Sequence, residues 1–226
     1  MTTLLIATRN AHKVGEIQVI LGANFRCRTL KDFPDAPAVV EDADTFAGNA
    51  TKKAVELAKW LNIQHPTSNI QHSMPDFVLA DDSGLEVDAL DGAPGVHSAR
   101  FAALDKSENS HDADNNAKLL RLLKDVPLEK RTARFHCVIA LALVAGGASV
   151  HASRLVSSLA PPVLFDGACE GRIQFSASGQ GGFGYDPLFV PDGFTQSFAE
   201  LGEDVKNQLS HRAKALAKLK TFFTTK

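Results

Sequence analysis

The most constraining feature of this sequence is the run Phe77-Val-Leu-Ala-Asp-Asp-Ser-Gly84, an apolar strand of four residues that ends in two adjacent carboxylates, a hydroxyl and a glycine. Neighbouring side chains on an extended backbone point to opposite faces, so Asp81 and Asp82 cannot both face one ligand while the strand stays regular. A carboxylate at such a strand end can hold a hard cation such as Mg²⁺ through oxygen, or take a proton from an attacking water. It can also do no more than bond local backbone N–H groups in an Asx-turn.

The elements around this strand point to an α/β architecture. Residues 4–7 form a short apolar strand, and Asn10 caps a helix whose stripe is Val14, Ile17, Ile20 and Leu21, with Gly22 as its stop. A second strand spans 25–30, followed by a proline-bearing loop over 31–37. Phe46, Ala50, Ala54, Leu57, Ala58 and Leu61 recur at helical spacing, which predicts a long helix over about 45–61 packed closely on a sheet. The polar, aperiodic segment 62–76 reads as an exposed insertion with solvated His65 and His72. Another helix is expected over 110–124, then an antiparallel hairpin of strands 132–144 and 149–157 around Gly146-Gly147, a strand over 171–175 and a final helix over 210–222. Helices first and a long hairpin later argue for a mixed sheet and not a doubly wound parallel one.

Composition bounds the function classes. At 226 residues with 44% hydrophobic and 22% charged residues, the chain is an ordinary globular protein, read as one domain over 1–226. A net charge of −2 removes a general electrostatic case for nucleic acid or an anionic membrane, so any anion site must be local. The N-terminus Met-Thr-Thr-Leu-Leu-Ile-Ala-Thr has no basic region and only a short apolar run, which argues against a signal peptide or membrane span. Cys27, Cys137 and Cys169 are few and widely spaced, and read as reduced packing residues of a cytoplasmic protein.

Four polar clusters carry candidate chemistry. Thr8-Arg-Asn-Ala-His-Lys13 runs from a strand into a helix N-terminus, where exposed N–H groups, the helix dipole and Lys13 favour an anion; the alternative is an ordinary capped helix with solvated Arg9 and Lys13. Glu41 precedes the helix start Thr45-Phe-Ala-Gly-Asn-Ala-Thr-Lys-Lys53 and either favours its dipole or ligates a metal, while Asn49 bonds backbone or reaches a ligand. Gly179-Gln-Gly-Gly-Phe-Gly-Tyr-Asp-Pro187 combines close-approach glycines with Phe183 and Tyr185, flat surfaces for a base unless they lie in the core. In Lys206-Asn-Gln-Leu-Ser-His-Arg212, Ser210 can cap the last helix, which puts His211 and Arg212 in its first turn; there cations are unfavourable unless an anion is present, or they are simply solvated.

Taken together, Thr8–Lys13, Asn49-Ala-Thr-Lys-Lys-Ala54, Ala80-Asp-Asp-Ser-Gly-Leu85, Gly92-Ala-Pro-Gly-Val-His-Ser-Ala-Arg100, Phe183-Gly-Tyr-Asp-Pro187 and Ser210-His-Arg212 resemble, in the same order, the inosine triphosphate pyrophosphatases, the Ham1-like family. The resemblance covers residues 4 to about 218 and implies a mixed-sheet α/β fold of two lobes around a nucleotide cleft, in a homodimer. It also implies Mg²⁺-dependent hydrolysis of ITP, dITP and XTP to the monophosphate and pyrophosphate. By position, Thr8, Arg9, Asn10, Ala11, His12, Lys13 and Lys53 would hold the phosphates, and Glu41 and Asp82 the metal. Asp82 would be the proton acceptor, and Ser83, Phe183, Gly184, Tyr185, Asp186, Lys206, His211 and Arg212 would bind the nucleotide.

Two departures stand out: Arg9 occupies a usual glycine position, and the 62–76 segment is longer than usual. Competing functions are a pyrophosphatase for other modified nucleotides and a nucleotide-binding protein without turnover. Asp82 beside Glu41 argues against the second of these.

Overall fold

In the computed structural model, residues 1–64, 74–103, 109–144 and 161–225 are described. They contain strands β1 (Thr2–Ile6), β2 (Phe25–Thr29), β3 (Phe77–Val87), β4 (Thr132–Leu143), β5 (Val163–Ile173) and β6 (Phe189–Pro191). The helices are α1 (Ala11–Leu21), α2 (Phe46–Gln64), α3 (Asp112–Leu122), α4 (Phe198–Leu209) and α5 (His211–Thr224). The strands form one sheet in the order β2-β1-β3-β4-β5-β6. β1 pairs parallel with β2 and β3, and β5 pairs antiparallel with β6, so the sheet is mixed as expected.

The first half follows its local signals. Asn10 Oδ1 accepts from the N–H groups of His12 and Lys13 at 2.9 and 3.2 Å, and Gly22 ends α1 with a φ of 66°. Thr45 Oγ1 accepts from Gly48 N at the start of α2. That helix continues to Gln64, so residues 62–64 are helical, not part of an exposed insertion. Asp76 is buried as well, and it exchanges two bonds with Thr3 at 2.7 and 2.8 Å. His65 and His72 lie outside the described residues.

Two expectations for the strands need correction. β3 does not end at Ala80 but runs through Asp81, Asp82, Ser83 and Gly84 to Val87, which removes the Asx-turn alternative. β5 starts at Val163, not Gly171, because Phe165, Gly167, Cys169, Gly171 and Ile173 alternate buried along it. β4 matches the first arm of the expected hairpin, while the second arm and Gly146-Gly147 lie outside the described residues. β6 and α4 were not anticipated, although Ser197 and Glu200 form a capping box readable in the sequence.

The chain forms two compact units that interleave along the sequence. The first comprises Met1–Asp82, Val138–Asp166 and Ala215–Lys226, and the second Ser83–Cys137 and Gly167–Lys214. In the first, Leu4, Leu5, Ile6, Ile17, Leu61, Leu79 and Leu219 are fully buried, and Phe223 meets Phe25 and Phe77 edge-on at 5.3 and 5.4 Å. The core of the second is built from Leu85, Val87, Leu119, Phe135, Tyr185, Phe189 and Phe198.

Arg131 is also fully buried in the second unit. Its guanidinium donates to Val126 O, Gln174 O and Leu123 O at 2.8, 3.2 and 2.6 Å and stacks under Phe175. The three cysteines are free thiols, and burial pushes Cys169 up to about 11. No described helix is long and apolar enough to cross a membrane.

Candidate functional site

In the first unit, β3 presents its two carboxylates to lysines from two different helices. Asp81, with its side chain fully buried, accepts from Lys13 Nζ of α1 at 2.6 Å. Asp82, one residue on and facing the other way, lies 3.5 Å from Lys53 Nζ of α2. The same ammonium donates to Glu41 Oε2 and to the Asp81 carbonyl, both at 2.8 Å. Glu41 thus turns to Lys53 instead of serving only a helix dipole. Asn49 takes the backbone role, accepting from Ala43 N at 2.9 Å and donating to Ala43 O at 3.2 Å.

The acids of this group are unequal. Burial pushes Asp82 up to about 6 and Glu41 adds to the rise, against the opposing pull of Lys53, Lys13 and Asn49. Burial acts on Glu41 in the same sense but is outweighed by the Lys53 ion pair and hydrogen bond, so Glu41 sits below the usual carboxylate range. Asp82 Oδ2 is buried and has no hydrogen-bond partner. An ionised oxygen in that position calls for a cation or a proton.

The Thr8–Lys13 segment differs from the expected open anion cradle. Asn10 already occupies the N–H groups of His12 and Lys13, and Thr8 Oγ1 accepts from Asn10 N at 3.2 Å. Arg9 is exposed, with Nη2 donating to Ala36 O at 3.0 Å, so its guanidinium bridges to the loop after β2. Anion binding here rests on the dipole and the side chains more than on free N–H groups.

In the second unit, Asp186 is the hub. Its Oδ2 accepts from Lys206 Nζ at 2.6 Å and from Phe183 N at 2.8 Å, and the ammonium sits 4.4 Å over the Phe183 ring. Gly182, at a φ of 74°, is required there, because a Cβ would lie 2.2 Å from Asp186 Oδ2. Gly184 N donates to Asp112 Oδ2 at 2.6 Å, and Asn116 Nδ2 donates to Gly184 O at 3.0 Å.

Tyr185 corrects the expectation of a second stacking surface. Its ring lies in the core, its hydroxyl donates to Ser98 O at 2.9 Å, and burial raises its pKa. His211 and Arg212 are buried, not solvated. His211 stacks on Phe135 with centroids 5.0 Å apart, and Arg212 Nη2 donates to Ser83 Oγ at 2.9 Å. Ser210 Oγ accepts from Ala213 N, as expected of a cap.

Lys13, Glu41, Lys53 and Asp82 therefore come together in the first unit, and Phe183, Asp186 and Lys206 in the second, where Ser83 also meets Arg212. Asp112, Asn116 and Ser98 were not singled out from sequence. Their contacts with Gly184 and Tyr185 span 68 to 87 residues, beyond any local signal.

The sequence pattern of the Ham1 family matches residues 4–222. The chain belongs to the Ham1 family. A dITP/XTP pyrophosphatase of Shouchella clausii is 43% identical over 220 residues, 97% of this chain and 96% of that protein. One of Geobacillus kaustophilus is 44% identical, covering 97% and 93%. Among solved Ham1 structures, a HAM1 protein from Coxiella burnetii superposes with a TM-score of 0.77 at 33% identity, covering 99% of each chain. The Staphylococcus aureus Ham1 protein gives 0.75 at 32%, covering 98% of each. The mixed six-stranded sheet is thus that of Ham1 proteins.

Proposed function

We infer that this chain hydrolyses the non-standard purine nucleotides ITP, dITP and XTP to the monophosphate and pyrophosphate. The observation that carries the reading is the Glu41–Lys53–Asp82 group, with its raised aspartate and orphaned Oδ2. The full-length Ham1 relatives named dITP/XTP pyrophosphatases support it.

Phosphoanhydride cleavage needs neutralised charge and a water held in line, not a covalent nucleophile. Asp82, a buried carboxylate 3.5 Å from Lys53 Nζ, is assigned as the acceptor of that water's proton. Lys13 and Lys53 meet phosphate oxygens, joined by Arg9 and the Thr8–His12 segment. Among the described residues no group of three or more His, Cys, Asp or Glu side chains forms a metal site. Two carboxylates fit Mg²⁺ nevertheless, since this ion is commonly bound by one or two carboxylates plus substrate phosphates. Glu41 and Asp82 would hold it, and when bound it neutralises charge developing on the phosphates. The uncompensated Asp82 Oδ2 supports that assignment.

The second unit is assigned the nucleoside. Phe183 offers its ring face to the purine, while Gly184, Tyr185, Asp186 and Lys206 fix the turn that carries it. His211, Arg212 and Ser83 are assigned to the base, the first two as donors to its six-keto oxygen. Adenine presents an amino group there and leaves such donors unsatisfied. A homodimer and a cytoplasmic location complete the reading; sedimentation of the purified protein at micromolar concentration tests the dimer.

The deciding experiment measures phosphate release from ITP, dITP, XTP, GTP and ATP with Mg²⁺, with and without added inorganic pyrophosphatase. Signal that depends on the added pyrophosphatase, for the first three far above the last two, is expected. Direct orthophosphate release refutes the cleavage position, and equal rates on ATP refute the base assignment.

A further inference from the structure

The turn that carries Phe183 is held from outside by α3. Asp112 and Asn116 lie four residues apart on that helix and so share one face. Asp112 Oδ2 accepts from Gly184 N at 2.6 Å, which fixes the peptide plane between Phe183 and Gly184. Asn116 Nδ2 donates to Gly184 O at 3.0 Å, which fixes the next plane. Phe183 N, on the other side, is bound to Asp186 Oδ2. The backbone of Phe183 is therefore pinned before and after its Cα, and the ring keeps only its side-chain torsions. Gly184, at a φ of 64°, adopts the left-handed backbone this grip requires.

We propose that Asp112 and Asn116 are positioning residues for the base-stacking ring, acting through Gly184 and touching no substrate atom themselves. The inference rests on the reading of Phe183 as the purine platform. A ring held in its bound orientation before the nucleotide arrives spares the ordering cost on binding, so the clamp acts on KM and leaves the water-activating carboxylates untouched. Asp114 provides a control: it is exposed and supplies the same charge to the same first helical turn.

Two measurements test the clamp. The first reads the ring without substrate: in an F183W protein on a W60F background, indole emission and acrylamide quenching are compared after adding D112A, N116A or D114A. Greater quenching in D112A and N116A, with D114A unchanged, is expected; equal quenching in all three overturns the clamp. The second is kinetic, with ITP and Mg²⁺. D112A and N116A should each raise KM about five-fold, the worth of one hydrogen bond, with kcat within two-fold. D112N keeps an acceptor and should recover most of the loss, whereas D114A should leave both constants alone. F183A should raise KM, and adding D112A to it should cost nothing more. Additive losses, or a fall in kcat at constant KM, overturn the positioning role. An F183A enzyme with unchanged KM overturns the stacking reading instead, a failure the quenching series identifies separately.

Discussion

Replacing Asp82 by asparagine removes a buried negative charge while keeping the outline of the side chain. In the metal-free protein Asp82 is 6% exposed and its pKa is pushed from 3.8 up to about 6. That displacement corresponds to about 3 kcal/mol by which ionisation of this group opposes folding. A raised carboxylate favours the folded state fully below its unfolded pKa, and the advantage disappears as pH climbs through the folded one. Asp82→Asn should therefore stabilise the protein in EDTA by about 3 kcal/mol at pH 8, by roughly half that at pH 5, and by under about 1 kcal/mol at pH 4. For a chain of this size the gain at pH 8 amounts to roughly 6–12 °C in melting temperature. Glu41, lowered chiefly by Lys53, has the opposite dependence, and because it interacts with Asp82 the substitution changes its share as well, so the comparison reads the two carboxylates together. Melting curves of both proteins across this pH range, with EDTA, measure the difference directly. A variant no more stable than the wild type at pH 8, or a gain that does not shrink on acidification, refutes the argument. The same variant should lose turnover, since the amide has neither the charge nor the basicity.

Asp81→Asn should behave oppositely despite being the next residue: it leaves Lys13 facing an amide and should destabilise by roughly 1–3 kcal/mol in urea titrations. A gain in stability there would contradict the burial of this pair. Gly84→Ala places a methyl 2.4 Å from both Gly95 O and Ser98 Oγ and should cost about 1–3 kcal/mol, read as a lower urea midpoint at constant slope. Arg9→Ala should weaken ITP and XTP by the same factor, about 1.5–3 kcal/mol in binding, because phosphate contacts carry no base information. Unchanged constants reject the phosphate contact, and a loss confined to one base rejects its phosphate role.

Local signals made the first half of the fold legible. Asn10, Gly22 and the alanine-rich stripe of α2 lie within a turn of what they control, and the elements they predicted are present. The length of β3 was not legible, because buried carboxylates read as a strand end until Lys13, 68 residues from Asp81, and Lys53, 29 residues from Asp82, are seen to neutralise them. Tyr185 could not be told from Phe183 for the same reason: core packing and a bond to Ser98 O, 87 residues away, decide between them. The Ser197–Glu200 box is legible, since a serine with a glutamate three residues on is a local helix-start signal. Sequence indicated the residue types of the site, but not that Asn49 bonds Ala43 or that Arg9 reaches Ala36.

Arg131 has a consequence for how the second unit reaches a single arrangement. Leu123 O and Val126 O lie within eight residues of it and become available once the turn after α3 forms. Gln174 O comes from 43 residues away and is available only when the end of β5 is in place, where Ile173 N also donates to Arg131 O. Slipping β5 by one residue would turn that carbonyl away and leave an arginine N–H buried without an acceptor, at about 1–3 kcal/mol. The residue thus acts as a proofreader: it accepts one pairing of distant strands and penalises its neighbours.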